Sequence, residues 1–356
     1  MKRREMLVAV GSGLVAPWLA ASSPSLGWSS TRKTRLGIVS YCLGIRQRLG
    51  PSGSGQRGLA DPLGLLEYCH RLGAGGIQVA LGTRDEAYAS QLRRQAEQYE
   101  MFVEAVMGLP RNPADVERFE AGVQTAKQSG ALAIRVVMMP GRRYERFASA
   151  DEYRRFSEEG LKSLELAEPV AARHRVRLAV ENHKDHRIPE RLAVLKHLSS
   201  EYVGACVDTG NSFALLEDPI EVVEAYAPWA FAVHLKDQGV REYEEGFLLG
   251  DVPLGEGFLD LPKMVGILRG ANPQLAFSLE LITRDPLQVP CLTDKYWATF
   301  EGVSGRDLAR TLRTVRAGAS AEPLPRVSQL SAEEQIAREQ QNVDKSLSYA
   351  RDHLGL

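Results

Sequence analysis

Leu178-Ala179-Val180-Glu181-Asn182-His183 and, some twenty residues on, Gly204-Ala205-Cys206-Val207-Asp208-Thr209-Gly210-Asn211 share one pattern: a short apolar run that ends on a carboxylate. Two more copies follow. Phe231-Ala232-Val233-His234-Leu235 ends on His234, with Lys236 and Asp237 behind it, and Phe277-Ser278-Leu279-Glu280 ends on Glu280. Apolar runs with little polar alternation are what strands covered on both faces look like. Working back towards the N-terminus, residues 36–41, 76–81, 102–107 and 133–138 have the same character, giving eight candidate strands.

Longer amphipathic segments separate them. Candidate helices cover residues 62–72, 85–98, 115–129, 151–174 (with Pro169 expected to kink it), 189–198, 219–227 and 261–268. Eight strands alternating with helices, without a break in composition, predict an α/β protein: a closed (β/α)₈ TIM barrel over residues 35–318. A doubly wound open sheet is the alternative, but no Gly-x-Gly-x-x-Gly turn follows the first strand, so a dinucleotide site is not indicated. Residues 302–317 are the candidate last barrel helix. Residues 319–356 read as a proline-containing linker and an extra C-terminal helix, opened by a Ser331/Glu334 capping box. Its stripe Ile336, Val343, Leu347, Ala350 and Leu354 suits packing on the barrel wall, with a homo-oligomer contact as the second reading.

The N-terminal residues 1–28 read as a twin-arginine-like signal peptide. Lys2-Arg3-Arg4 is followed by an apolar stretch, residues 6–20, too short to span a bilayer comfortably, and then by the small residues Ala20-Ala21-Ser22-Ser23. The expectation is an exported, periplasmic protein with no membrane association once the signal is cleaved. Four scattered cysteines show no metal-finger spacing, and Cys42 and Cys206 read as buried thiols without a bridge. With 44 Lys plus Arg against 45 Asp plus Glu, the formal charge of -1 offers no sign of a nucleic-acid or anionic-membrane partner.

Active sites of such barrels lie at the C-terminal ends of the strands. Glu181, Asp208, His234 and Glu280 occupy those ends on the last four strands. Three carboxylates in one bowl would repel unless a cation neutralised them. Two Glu, one Asp and one His make a hard, oxygen-dominated set for one divalent metal ion, Mn²⁺ first, with Mg²⁺, Co²⁺ or Zn²⁺ also compatible. Nearby, His183 and His186 are candidate acid/base or hydroxyl-binding groups. Lys236 is a candidate for holding a substrate oxygen, or else an ion-pair partner of Asp237 or Glu181. Arg284, Arg142 and Arg143 are candidates for substrate carboxylates or hydroxyls, and Trp297 and Tyr296 for stacking on a sugar ring. The Gly- and Ser-rich stretch 44–58 reads as a lid. The Gly-rich turn in residues 250–257 contains Glu256, which would repel phosphate, so an unphosphorylated substrate is expected.

The motifs Glu181-Asn182-His183, Asp208-Thr209-Gly210-Asn211, His234-Leu235-Lys236-Asp237 and Glu280, taken together, resemble the xylose isomerase-like barrels, often labelled sugar phosphate isomerases/epimerases. The resemblance covers residues 35–300. It implies that Glu181, Asp208, His234 and Glu280 hold the metal, and that Glu181 and Glu280 also move protons on opposite faces of a sugar carbonyl compound. It implies a carbohydrate substrate and an isomerase or epimerase working through a metal-stabilised enediolate. A lyase or dehydratase eliminating from a keto-sugar or 3-keto-glycoside is the alternative, since the His234–Asp237 run is similar to that of the family's dehydratases. A non-catalytic sugar-binding barrel is the third reading. One departure stands out: where epimerases and the family's DNA-repair endonuclease carry a second His, this chain has Asn211, which bonds hydroxyls but is a poor base. The endonuclease also needs more His ligands than the seven His here provide.

Overall fold

A computed structural model describes residues 33–50, 58–320 and 322–356. The signal-like residues 1–28 and the centre of the candidate lid lie outside the described residues. The described part of that lid forms a short helix, Gly44–Leu49.

All eight expected strands form, and they close into a parallel barrel. In chain order they are β1 (Leu36–Val39), β2 (Gly76–Ala80), β3 (Phe102–Val106), β4 (Ile134–Val136), β5 (Leu178–Glu181), β6 (Val203–Asp208) and β7 (Ala230–Leu235). After β8 (Asp237–Tyr243) and β9 (Gly246–Val252), β10 (Phe277–Leu279) supplies the eighth barrel strand, between β7 and β1. Because side chains alternate along a strand, every second residue points into the barrel. The floor of the interior is an aromatic ring, Phe102, with room made for it by two glycines. A Cβ at Gly37 or Gly76 would lie 2.5 Å from that ring. A register shift between Ala205 and Cys206 lets β6 and β7 pair so that Asp208 stands opposite His234.

Three features differ from the expectation. First, β8, β9 and β11 (Leu287–Val289) form a separate antiparallel sheet on segments read as loops. Val240, Phe247, Leu249 and Val289 from this sheet join Phe213, Tyr296, Phe300 and Val315 in a second apolar cluster. Second, the helix expected to close the barrel, Gly305–Ala317, packs on β8 of that sheet. The C-terminal helix Ala332–His353 instead packs against β1 and the helix Gly44–Leu49, burying Val343, Leu347, Ala350 and Leu354 in the barrel's own core. Its capping box at Ser331 and Glu334 forms as expected. Third, the helix expected over residues 151–174 begins at Ala150 on a Ser149 cap and carries Pro169 inside it. All four cysteines are buried and free. Among the described residues, no helix is long and apolar enough to cross a membrane.

One contact ties the C-terminal helix down. Glu339, 1% exposed, accepts the backbone N–H groups of Ile45 and Arg46 at 2.7 and 2.9 Å. Glu339→Ala orphans two donors next to the first strand and is expected to cost about 1–3 kcal/mol, read as a lower denaturant midpoint. An unchanged midpoint would show that the helix is held by its apolar stripe and its remaining polar contacts, such as Asn342 to Thr283 at 2.9 Å.

Candidate metal centre

The four strand-end residues meet. One ligand atom from each of Glu181, Asp208, His234 and Glu280 lies within 4.8 Å of all the others, and all four residues are buried. Each is aimed by its own partners. Asp208 Oδ1 accepts the N–H groups of Gly210 (2.9 Å) and Asn211 (2.8 Å), which turns Oδ2 into the bowl. Asn182 locks β5 to β6, accepting from Asp208 N (2.7 Å) and donating to Asp208 O (2.9 Å). His234 Nε2 bonds Gln78 Oε1 at 2.7 Å. That leaves Nδ1 facing the carboxylates, 3.3 Å from Glu280 Oε2, 3.7 Å from Glu181 Oε1 and 3.9 Å from Asp208 Oδ2.

These groups fit a metal. His234 Nδ1 and Asp208 Oδ2 are fully buried and make no hydrogen bond, a costly state for polar atoms unless something else binds them. A cation of the chain also lies against these carboxylates. Lys236 Nζ lies 3.0 Å from Asp208 Oδ2 and 2.8 Å from Glu280 Oε2, rather than against Asp237 or Glu181. Burial lifts the Asp208 carboxyl to about 7, against the pull of Lys236. Burial also opposes the charge on Glu280, but Lys236 and His234 outweigh it and hold that carboxyl well below the usual range.

Sequence reading missed the support beneath the ligands. Arg135, inside β4, donates through Nε to Glu181 Oε2 at 2.5 Å, and Asn211 Nδ2 donates to Glu181 Oε1 at 2.9 Å. Burial works against the Glu181 carboxylate, yet Arg135 keeps its pKa low. Below His234, Gln78 Nε2 (2.8 Å) and Ser278 Oγ (2.9 Å) both donate to Glu104 Oε2, and burial raises Glu104 to about 6. A signal for these residues did exist: Gln78, Glu104, Arg135 and Ser278 are polar residues within apolar strands, and Ser278 shares the inward phase of Glu280. An outer partner of a metal-binding His fixes its tautomer and orientation. Gln78→Leu is therefore expected to weaken metal affinity about 10–100-fold, measured by competition with a chelator. An unchanged affinity would remove Gln78 from the site.

The other candidates divide. Asn211 sits in the centre, in a 3₁₀ turn (Asn211–Leu215) anchored by Phe213 against Phe247 and Phe258 of the added sheet's cluster. His183 lies beside the ligands, where burial depresses it to about 4, and its Nδ1 has no partner. His186 bonds Ser157 Oγ at 2.8 Å and is structural. Arg143 is buried on Glu190 and Thr299, while Arg142 is engaged with Glu145 at 2.5 Å. Arg284 pairs with Asp251 at 3.5 Å. Trp297 donates to the Cys291 carbonyl at 2.9 Å and packs on Tyr296 and Phe300. The Gly-rich turn does wrap an anion, but that anion is the chain's own Asp237. Its carboxylate accepts from Gly255, Gly257 and Leu259 N–H at 2.9, 3.0 and 3.2 Å, and a Cβ at Gly257 would lie 2.1 Å from Asp237 Oδ1.

With this geometry in hand, the comparisons are specific about the family. A family model described as the xylose isomerase-like TIM barrel matches residues 66–298. The chain belongs to that family. A 114-residue stretch is 32% identical to 3-oxo-isoapionate decarboxylase of Pectobacterium atrosepticum, covering 32% of this chain and 42% of that relative. The chain thus matches under half of the relative's length. Among solved structures, an L-ribulose 3-epimerase covers 89% of the chain and 95% of its own length at TM-score 0.51 and 14% identity. The probable 3-DHS dehydratase AsbF of Bacillus anthracis covers 69% and 92% at TM-score 0.52 and 14% identity. At such identities these likenesses establish the shared barrel.

Proposed function

We propose that the protein is a divalent-metal-dependent isomerase or epimerase acting on an unphosphorylated keto-sugar through an enediolate. One observation carries the reading: three carboxylates and a histidine on four adjacent strand ends converge within 4.8 Å, with Lys236 against two of them. A hard divalent ion bound there, Mn²⁺ first and Mg²⁺, Co²⁺ or Zn²⁺ also compatible, supplies Lewis-acid polarisation of the substrate carbonyl and acidifies the neighbouring C–H. Glu181, held as an anion by Arg135 and Asn211, serves as a ligand and is a weak base. Glu280, which faces Lys236 at 2.8 Å rather than an arginine, is the proton carrier. Lys236 neutralises charge that develops on the substrate oxygens, and neutral His183 is the candidate second carrier. Export to the periplasm, expected from residues 1–28, belongs to the same reading and is checked by cell fractionation.

A lyase acting on a keto-sugar is the second reading. With Glu181 clamped by Arg135, a single proton carrier, Glu280, suffices for enolate formation with loss of a group, and the 32% identical stretch matches a decarboxylase. Product analysis separates the two: elimination yields an ultraviolet-absorbing enone and decarboxylation yields CO₂, whereas isomerisation yields neither. The reading itself is tested by elemental analysis of the purified mature protein. About one metal ion per chain is expected, with a melting temperature raised by added Mn²⁺. Metal-free protein indifferent to Mn²⁺ would instead favour a non-catalytic barrel.

A further inference from the structure

Lys184 is a buried charge without a counter-charge. It is 3% exposed and donates to the amide oxygen of Asn211. Among the described residues, no carboxylate lies within 4.0 Å of its ammonium, although nearly every other buried cation of the bowl has one. Lys236 donates to the same oxygen at 3.3 Å. Two ammonium groups thus converge on one neutral acceptor, beside the ligand set. An ammonium carries three N–H donors, so a single amide oxygen leaves most of Lys184's donors unused. Burying such a group is expensive unless an anion meets it.

Charge counting points the same way. In the state metal binding requires, with His234 neutral and the three carboxylates ionised, Glu181, Asp208 and Glu280 are balanced by Arg135, Lys184 and Lys236. A divalent ion then leaves an excess of two positive charges, or one if Glu104 beneath His234 is ionised. Arg284 and Asp251, at the rim, cancel each other. A neutral sugar would leave that excess in a buried site.

We propose that Lys184, with Lys236 and Asn211, is the anchor for a carboxylate of the substrate, which makes the substrate a keto-sugar acid. The inference rests on the metal-dependent keto-sugar reading above and narrows its substrate class. Burial and the neighbouring Lys236 lower the Lys184 ammonium to about 8, the cost of a cation awaiting its anion.

The test is calorimetric binding to Mn²⁺-loaded protein of two probes that differ at one carbon: 2-keto-D-gluconate, with a carboxylate at C1, and D-fructose, with a hydroxymethyl there. The acid is expected to bind tighter by about tenfold or more, the scale of a charge-assisted hydrogen bond. Lys184→Met is expected to erase that preference while keeping its metal, and Lys184→Arg to keep most of the preference. Equal binding, no binding of either probe, or a preference that survives in Lys184→Met overturns the proposal. Tighter binding of D-fructose 1-phosphate than of the acid would also overturn it, by assigning the anchor to phosphate. Metal content separates the failures: a wild-type protein that takes up no metal defeats the functional reading, whereas a metal-loaded protein without the carboxylate preference defeats this inference alone.

Discussion

Glu280→Gln is expected to lower kcat by about a thousandfold while the protein stays folded, since the loss of a positioned general base costs roughly 10²–10⁴ in rate. The amide has nearly the shape of the carboxylate it replaces, and the variant keeps Asp208 to pair with Lys236 at 3.0 Å. Gln is also a weaker metal ligand, so the rates should be compared at saturating Mn²⁺, with circular dichroism confirming the fold. A variant that turns over at the wild-type rate under those conditions sinks the assignment of Glu280 as proton carrier. A variant rescued fully by excess metal would show that Glu280 is only a ligand.

Arg135→Met should be the most destabilising single change at the site in metal-stripped protein. It leaves the buried Glu181 carboxylate with Asn211 at 2.9 Å and His234 Nδ1 at 3.7 Å but without its strongest partner, and breaking a buried ion pair from one side costs about 3–5 kcal/mol. The pH dependence supplies a second check. In the wild type, burial opposes the Glu181 charge but Arg135 depresses its pKa, so its contribution is present above the unfolded carboxylate pKa and fades as pH falls. In the variant, burial and the neighbouring Glu280 charge push that pKa up with only His234 left to oppose them, so protonation on acidification relieves the strain. The stability gap between the two proteins is therefore expected to narrow between pH 8 and pH 5 in urea titrations. A gap that is small at pH 8, or that widens on acidification, would show that Arg135 does not hold Glu181.

The strand-end ligands were legible because each is a local event, a polar residue that interrupts an apolar run at the point where the chain leaves the barrel. The residues beneath them were harder to see. Arg135 and Glu104 sit within apolar strands, where a single polar residue gives no hint of whether it points to the bowl or to a covering helix. The added sheet had no counterpart in the sequence reading because Asp237–Tyr243 shows no clear alternation, its first four residues being buried and Arg241 and Glu242 at its end exposed, and Val240 packs on residues distant in sequence. The Gly-rich turn was read as repelling phosphate because of Glu256; that it wraps the chain's own Asp237, some twenty residues earlier, needed the fold.

By itself, then, the sequence determined the eight-strand alternation, the family, and the four residues that meet at the candidate metal centre, since period and strand-end chemistry are short-range properties. Only the tertiary structure decided how those residues are held and charged. Gln78 meets His234 across 156 residues, Arg135 meets Glu181 from the neighbouring strand, and Lys184 and Lys236 share Asn211 from three separate segments. The C-terminal helix likewise lies against β1 at the opposite end of the chain. Closing the barrel sets those distances, and electrostatics in a buried bowl depends on distance far more than on residue type.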